Sequence, residues 1–151
     1  MKDLKKIITE DYVSFETAKL LKEKGFNEVC RAWYFGEDRV NNSTIIPKDE
    51  LLFVSDNYYG AKRNKWIGYP NAVTAPTLQM VKKWFKIVHN IGIFPSTYTF
   101  SNADGSEEYH PYGCSIIDLK TYQLLTNNIF QKETEEEAVE EAIKFCLKNL
   151  I

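Results

Sequence analysis

The residue types that bind cations or move protons gather in one short run of this chain, Glu107-Glu108-Tyr109-His110, with Asp104 just before it. Carboxylates and an imidazole brought together on a hairpin would suit a metal ion. The spacing matches no ligand pattern, however, and in a strand Glu108 and His110 share a face that Glu107 does not. A solvated hairpin tip is the expectation. A Cys–His couple is no better supplied, because Cys114 follows His110 by four residues, about 13 Å further along a strand and too far for proton transfer. Cys146 falls in an apolar helical stripe with Val139, Ala142, Ile143, Leu147 and Leu150 and reads as packing. The chain contains no GxSxG, P-loop or dinucleotide-binding glycine pattern. No catalytic residue, metal or cofactor is implied.

Binding chemistry is better represented in SDNYYGAKRNKWIGYPN, Ser55 to Asn71. Lys62, Arg63 and Lys65 are interleaved there with Tyr58, Tyr59, Trp66 and Tyr69, in a stretch punctuated by Gly60, Gly68 and Pro70. Single-stranded nucleic acid is held by such mixtures, since bases stack on rings while cations follow the phosphates. The alternative is structural: Tyr58, Trp66 and Tyr69 pin a long loop to the domain and leave the basic residues in water. A second charged group, Glu133, Glu135, Glu136, Glu137, Glu140 and Glu141, invites a cation site or a DNA-mimicking surface. Its plainer role is to complement a helix dipole, with Glu140–Lys144 the one ideally spaced ion pair.

Three helices must position these residues. SFETAKLLKEKGF has Ser14 to cap its start and Gly25 to stop it, with Phe26 placed to fold back on Leu21. APTLQMVKKWFKIVHN has Pro76 near its start and Asn90 as a C-terminal cap. Leu78, Val81, Phe85 and Val88 make one apolar row in it, and Met80, Trp84, Ile87 and Ile91 a second. The expectation is a core helix with Lys82, Lys83 and Lys86 on its solvated side. His89 would then be a cation in the last turn, where the helix dipole favours one. TEEEAVEEAIKFCLKNLI opens on a capping box of Thr134 and Glu137.

Strand patterns fall between the helices. Val29 to Phe35 and Glu50 to Val54 read as strands, while GEDRVNNSTIIPKD between them is loop-like. Ile93 to Phe100 and Tyr109 to Leu119 form a hairpin across SNADGSEE, where Asp104-Gly105 supplies the turn, and Tyr122 to Phe130 would extend it to a meander. The expected fold is α+β, an antiparallel sheet around residues 93–130 packed against about three amphipathic helices.

At 151 residues the chain is the size of one domain, and 1–151 is read as such. A formal charge of −2 removes any global electrostatic reason to expect nucleic acid or an anionic membrane. The scattered Cys30, Cys114 and Cys146 suggest free thiols and a reducing compartment. The N-terminal stretch lacks a signal-peptide core, and no segment approaches a membrane span. A cytoplasmic protein is expected.

Three segments, YVSFETAKLLKEKGF, APTLQMVKKWFKIVHNI and EEAVEEAIKFCLKNLI, together resemble a group of small proteins of gut anaerobic bacteria and of their phages and mobile elements. The resemblance covers the three helices and little between them, and the group brings no established activity. It implies a phage or prophage accessory protein in the cytoplasm of a bacterial host cell. The expected function is a non-enzymatic protein-interaction module, with a protein partner favoured, nucleic acid possible and no membrane. The alternatives are a single-stranded nucleic-acid-binding module using residues 55–71 and an enzyme whose site the sequence does not reveal.

Overall fold

The helix ends form where their side chains dictate. A computed structural model describes residues 10–35, 39–41, 44–46, 52–55, 61–65, 67, 71–97 and 111–151. In chain order these contain α1 (Phe15–Glu23), β1 (Ala32–Tyr34), β2 (Arg39–Asn41), β3 (Thr44–Ile46), β4 (Leu52–Val54), β5 (Val73–Thr74), α2 (Leu78–Trp84), β6 (Ile91–Thr97), β7 (Tyr112–Asp118) and α3 (Glu135–Asn149), with a π-helical turn, Phe85–His89, between α2 and β6. Ser14 caps α1 by accepting the Thr17 amide. At the other end Gly25 takes φ +89°, its N–H donates to the Lys22 carbonyl, and the Phe26 N–H donates to the Leu21 carbonyl. That pair of bonds satisfies orphan carbonyls of the last turn and returns Phe26 to the core. Thr77 and Thr134 cap α2 and α3 by accepting the Met80 and Glu137 amides.

The fold is α+β, with every strand pair antiparallel. One sheet has the order β4-β1-β5, and β2–β3 and β6–β7 form two-stranded ladders. Residues 39–41 and 44–46, read as loop from their polar composition, are thus strands; Arg39 pairs with Ile46 and Asn41 with Thr44. The ladder of β6 and β7 runs from Ile91↔Asp118 to Thr97↔Tyr112. Its connecting turn, with Asp104-Gly105, lies outside the described residues.

The expected third strand, Tyr122 to Phe130, does not form. Local side-chain bonds replace ladder bonds: Asp118 Oδ1 accepts the Lys120 and Thr121 amides, Thr126 accepts that of Asn128, and Asn128 accepts that of Phe130. Tyr122 and Phe130 adopt positive φ, which no strand allows. The segment still follows the free edge of β7, where Leu125 N–H donates to the Ile116 carbonyl and Cys114 N–H to that of Ile129.

The core lies where α3 meets β6, β7 and α1. Ala138, Val139, Ala142, Ile143, Cys146 and Leu147 form its buried stripe, and Ile93, Cys114 and Ile116 face it from the ladder. The expected Glu140–Lys144 pair is absent. Glu140 Oε1 instead accepts from Ser14 N at 2.9 Å, Ser14 Oγ at 2.6 Å and Thr17 Oγ1 at 2.5 Å. The start of α1 offers free donors and a positive dipole end, and three donors there outweigh one ammonium. Lys144 turns to Glu16 and Glu141. Hydrogen bonding and charge from Lys144, then Lys148, hold the Glu16 carboxyl below the usual carboxylate range.

All three cysteines are buried and free. Burial pushes the thiols of Cys30 and Cys114 up to about 11 and that of Cys146 to about 12. Native protein should therefore react slowly with a thiol-disulfide reagent and yield all three thiols once guanidinium unfolds it; fast stoichiometric labelling of folded protein would contradict their burial. Phe85 is likewise fully buried. Phe85→Ala should cost about 3–5 kcal/mol in urea unfolding, whereas Ile87→Ala, two residues on, should stay within about 0.5 kcal/mol.

Candidate functional site

The strongest surface feature grows out of the end of α2. Its apolar rows run as expected for two turns, with Leu78, Val81, Trp84 and Phe85 buried. The chain must then leave the helix and enter β6 at Ile91, which is also buried. Asn90 makes the join by adopting the left-handed conformation, φ 56°, and donating its N–H to the Phe85 carbonyl five residues back. Asn tolerates that conformation better than most residues. The turn is consequently π-helical, one residue wider than an α turn.

The extra residue changes which side chains face inward. In an α turn Val88 would lie below Phe85, in line with the apolar row. In the wider turn His89 takes that position, its ring centroid 4.6 Å from that of Trp84 and 5.9 Å from that of Phe85. Ile87 and Val88 are turned out to 67% and 53% exposure. The reading of both as core residues is corrected by this shift of phase.

β6 completes the surface. Gly92 faces Phe94 closely: a Cβ on it would collide with the Phe94 ring and come within 3.0 Å of Leu119 Cδ2. Only a glycine lets Phe94 lie across its own strand, and Phe94 remains 48% exposed there. Between this strand and the outer face of α2 runs a groove of about 690 Å³, lined by Lys82, Lys83, Lys86, Ile87, Ile93, Phe94 and Pro95 among others. Beyond Ile87 a second hollow, about 470 Å³, is lined by Glu28, Val29, Met80, Lys83, Trp84 and Val88. Ile87 and Lys83 form the ridge between the two. None of Lys82, Lys83 and Lys86 makes an ion pair with a described residue.

Of the seven residues proposed from sequence, Lys62, Arg63 and Lys65 are described, and none of them lines this groove. Tyr58, Tyr59, Trp66 and Tyr69 lie outside the described residues. The described part of their segment is fastened to the body of the protein: Lys62 pairs its backbone with Cys30, Arg63 Nη1 donates to the Asn27 carbonyl at 3.0 Å, and the Lys65 amide donates to Asn27 Oδ1. The fastening that sequence reasoning missed is Asn64. It is buried, donates to the Phe26 carbonyl at 2.7 Å and accepts the Thr74 amide at 3.0 Å, tying the loop to the turn that follows α1 and to β5. A lone Asn in a polar stretch carries no sign of this in the sequence.

Asp104, Glu107, Glu108 and His110 lie outside the described residues, and among those described no group of three or more His, Cys, Asp or Glu is placed to hold a metal ion. The acids at the start of α3 are exposed; Glu135 and Glu136, with Glu10 and Asp11, line a separate cavity of about 450 Å³ that Lys82 also borders. No helix among the described residues is long and apolar enough to cross a membrane. Comparison of the chain with protein-family models, curated proteins and solved structures finds no match.

His89 is not the helix-end cation expected. Burial holds its imidazole below the ordinary value of 6.5, and its inaccessible Nε2 has no hydrogen-bond partner among the described residues. In the unfolded chain the same group titrates near 6.5. Below that pH the unfolded state binds a proton that the folded state resists, so stability falls as pH drops and the loss is complete once pH passes the folded-state pKa. Thermal melts from neutral to mildly acidic pH should show His89→Gln losing less stability than the unsubstituted protein. Equal losses would mean that the ring titrates freely when folded.

Proposed function

We propose that this protein is a non-enzymatic protein-interaction module and that it engages its partner through the face built by the end of α2 and the start of β6. The observation that carries the reading is the outward placement of Ile87, with Phe94 across the hollow on one side of it and Val88 lining the hollow on the other. Exposed large apolar side chains that are contiguous, concave and rimmed by charge mark interaction sites, whereas scattered ones do not. The face is also well braced. Leu78 N–H donates to the Asp11 carbonyl and Val13 N–H to that of Pro76 at one end of α2, while Leu119 N–H donates to the Asn90 carbonyl at the other. A surface held at both ends binds with little ordering cost.

The resemblance of the three helical segments supports a phage or prophage accessory role in the cytoplasm of a bacterial host cell. The buried cysteines supply no reactive nucleophile, which is consistent with a binding role. Single-stranded nucleic acid at residues 55–71 is the weaker alternative, because Arg63 and the neighbouring backbone are spent on the protein's own carbonyls and side chains.

The test is selection from a random-sequence peptide display library on the folded protein, with an Ile87→Ser/Phe94→Ser double variant as comparison. Both positions are exposed, so the variant should melt near the unsubstituted protein. Peptides enriched on the unsubstituted protein should bind the variant at least about tenfold more weakly. Enrichment that is indifferent to the two substitutions, or no enrichment at all, would overturn the assignment of this face.

A further inference from the structure

We infer that the groove between α2 and β6 takes an acidic segment of a partner protein, one whose carboxylates flank bulky apolar side chains. This rests on the protein-interaction reading and adds the chemistry of the partner. Charge complementarity carries it. Lys82 and Lys83 on α2 and Lys86 in the π-helical turn border the same groove, and none makes an ion pair with a described residue. A ligand entering the groove brings its own charges close to these ammoniums, and like charges there would repel.

The apolar half of the site decides what carries the acid. Ile87 forms a ridge with a hollow on each side, so an occupant gains most by placing one apolar side chain against Phe94 and Pro95 and another against Met80 and Val88. Nucleic acid is also anionic, but it is held chiefly by stacking on rings, and the described residues of this face offer one exposed ring among aliphatic side chains. A lipid surface would meet a flat or convex face more readily than a hollow of about 690 Å³. A second copy would have to bring its α3 acids to this groove. That contact joins two different surfaces and leaves both free again at the ends, giving rings or filaments.

Acidity is also specified by position. Lys82 is half-buried and also borders the cavity lined by Glu135 and Glu136, whereas Lys83 and Lys86 are exposed along the groove, Lys83 on its ridge toward the hollow that Glu28 also lines. The carboxylates should therefore meet Lys83 and Lys86.

The experiment uses fluorescein-labelled synthetic peptides of Glu, Leu and Phe, the same sequences with Lys for Glu, and the same with Ser for Leu and Phe. Anisotropy should show the acidic apolar peptide binding at least about tenfold more tightly than either control, with affinity falling as salt is raised to about 0.15 M. Lys83→Glu/Lys86→Glu should weaken the acidic peptide and strengthen its lysine counterpart, a reversal that mere unfolding would not produce. Preference for the lysine or uncharged peptide, still dependent on Ile87 and Phe94, would overturn the acidic partner and leave the interaction face standing. No peptide binding that depends on Ile87 and Phe94 would remove both. Binding of phosphatidylserine vesicles or of a labelled oligonucleotide in place of the peptides would overturn the proposal in favour of that surface. So would sedimentation showing self-association abolished by Lys83→Glu/Lys86→Glu.

Discussion

Two buried residues six positions apart, Phe85 at the end of a helix and Ile91 at the start of a strand, set the constraint on which this face depends. The chain must change from helix to strand between them without lifting either from the core. An α-helical turn continued to Asn90 would keep Val88 inward and bring the next residues out of phase with β6. The π-helical closure from Asn90 to Phe85 absorbs one residue, puts His89 under Trp84 and lets Ile91 start its ladder opposite Asp118. The cost is local: poorer helical geometry, a histidine nitrogen without a partner among the described residues, and two exposed aliphatic side chains. Such costs recur at functional sites, where the surrounding structure holds a conformation that local preference would not choose.

The rest of the molecule supplies the rigidity that makes this turn persist. α3 presents a continuous buried stripe to β6 and β7, so the strand that receives the chain is fixed before the turn is considered. Glu140 ties the same helix to the start of α1, and the residues just before α1 bond in turn to the start of α2. One carboxylate thus links three helices through a short relay: α3 to Ser14, Ser14 by covalent continuity to Val13, and Val13 to Pro76. An exposed ion pair would contribute little here, whereas a carboxylate taking three donors at a helix start contributes direction as well as energy.

Much of this was legible from residue types, and what was legible shares one property: it depends on neighbours in the sequence. Ser14, Thr134 and Gly25 act on residues within four positions of themselves, so their roles could be read directly. The buried stripe of α3 and the pairing of β6 with β7 follow from periodicity over one element. The misses depend on distant partners. Glu140 abandoned Lys144 because a helix start far away in sequence offered more donors. Asn64 looked like loop and is a buried bridge between the turn that follows α1 and β5. Residues 39–41 and 44–46 read as loop but find a strand partner in each other. Tyr122 to Phe130 looks like a strand, yet Asn and Thr side chains bond its backbone locally and break the ladder.

Periodicity failed most instructively at Val88 and Ile87, because it assumes that a helix keeps its phase to the last residue. Phase at the end of a helix belongs partly to the next element, which has its own inward face to satisfy. Here β6 begins immediately after Asn90, leaving no loop in which to absorb a mismatch, and the adjustment falls within the helix. The same adjustment turns Val88 out of the core and sets it next to Ile87, which lies one turn after Lys83 on the outer side of the helix. An amphipathic pattern therefore accounts for both the buried helix and the exposed surface, and which residues belong to each is decided by where the following strand has to start.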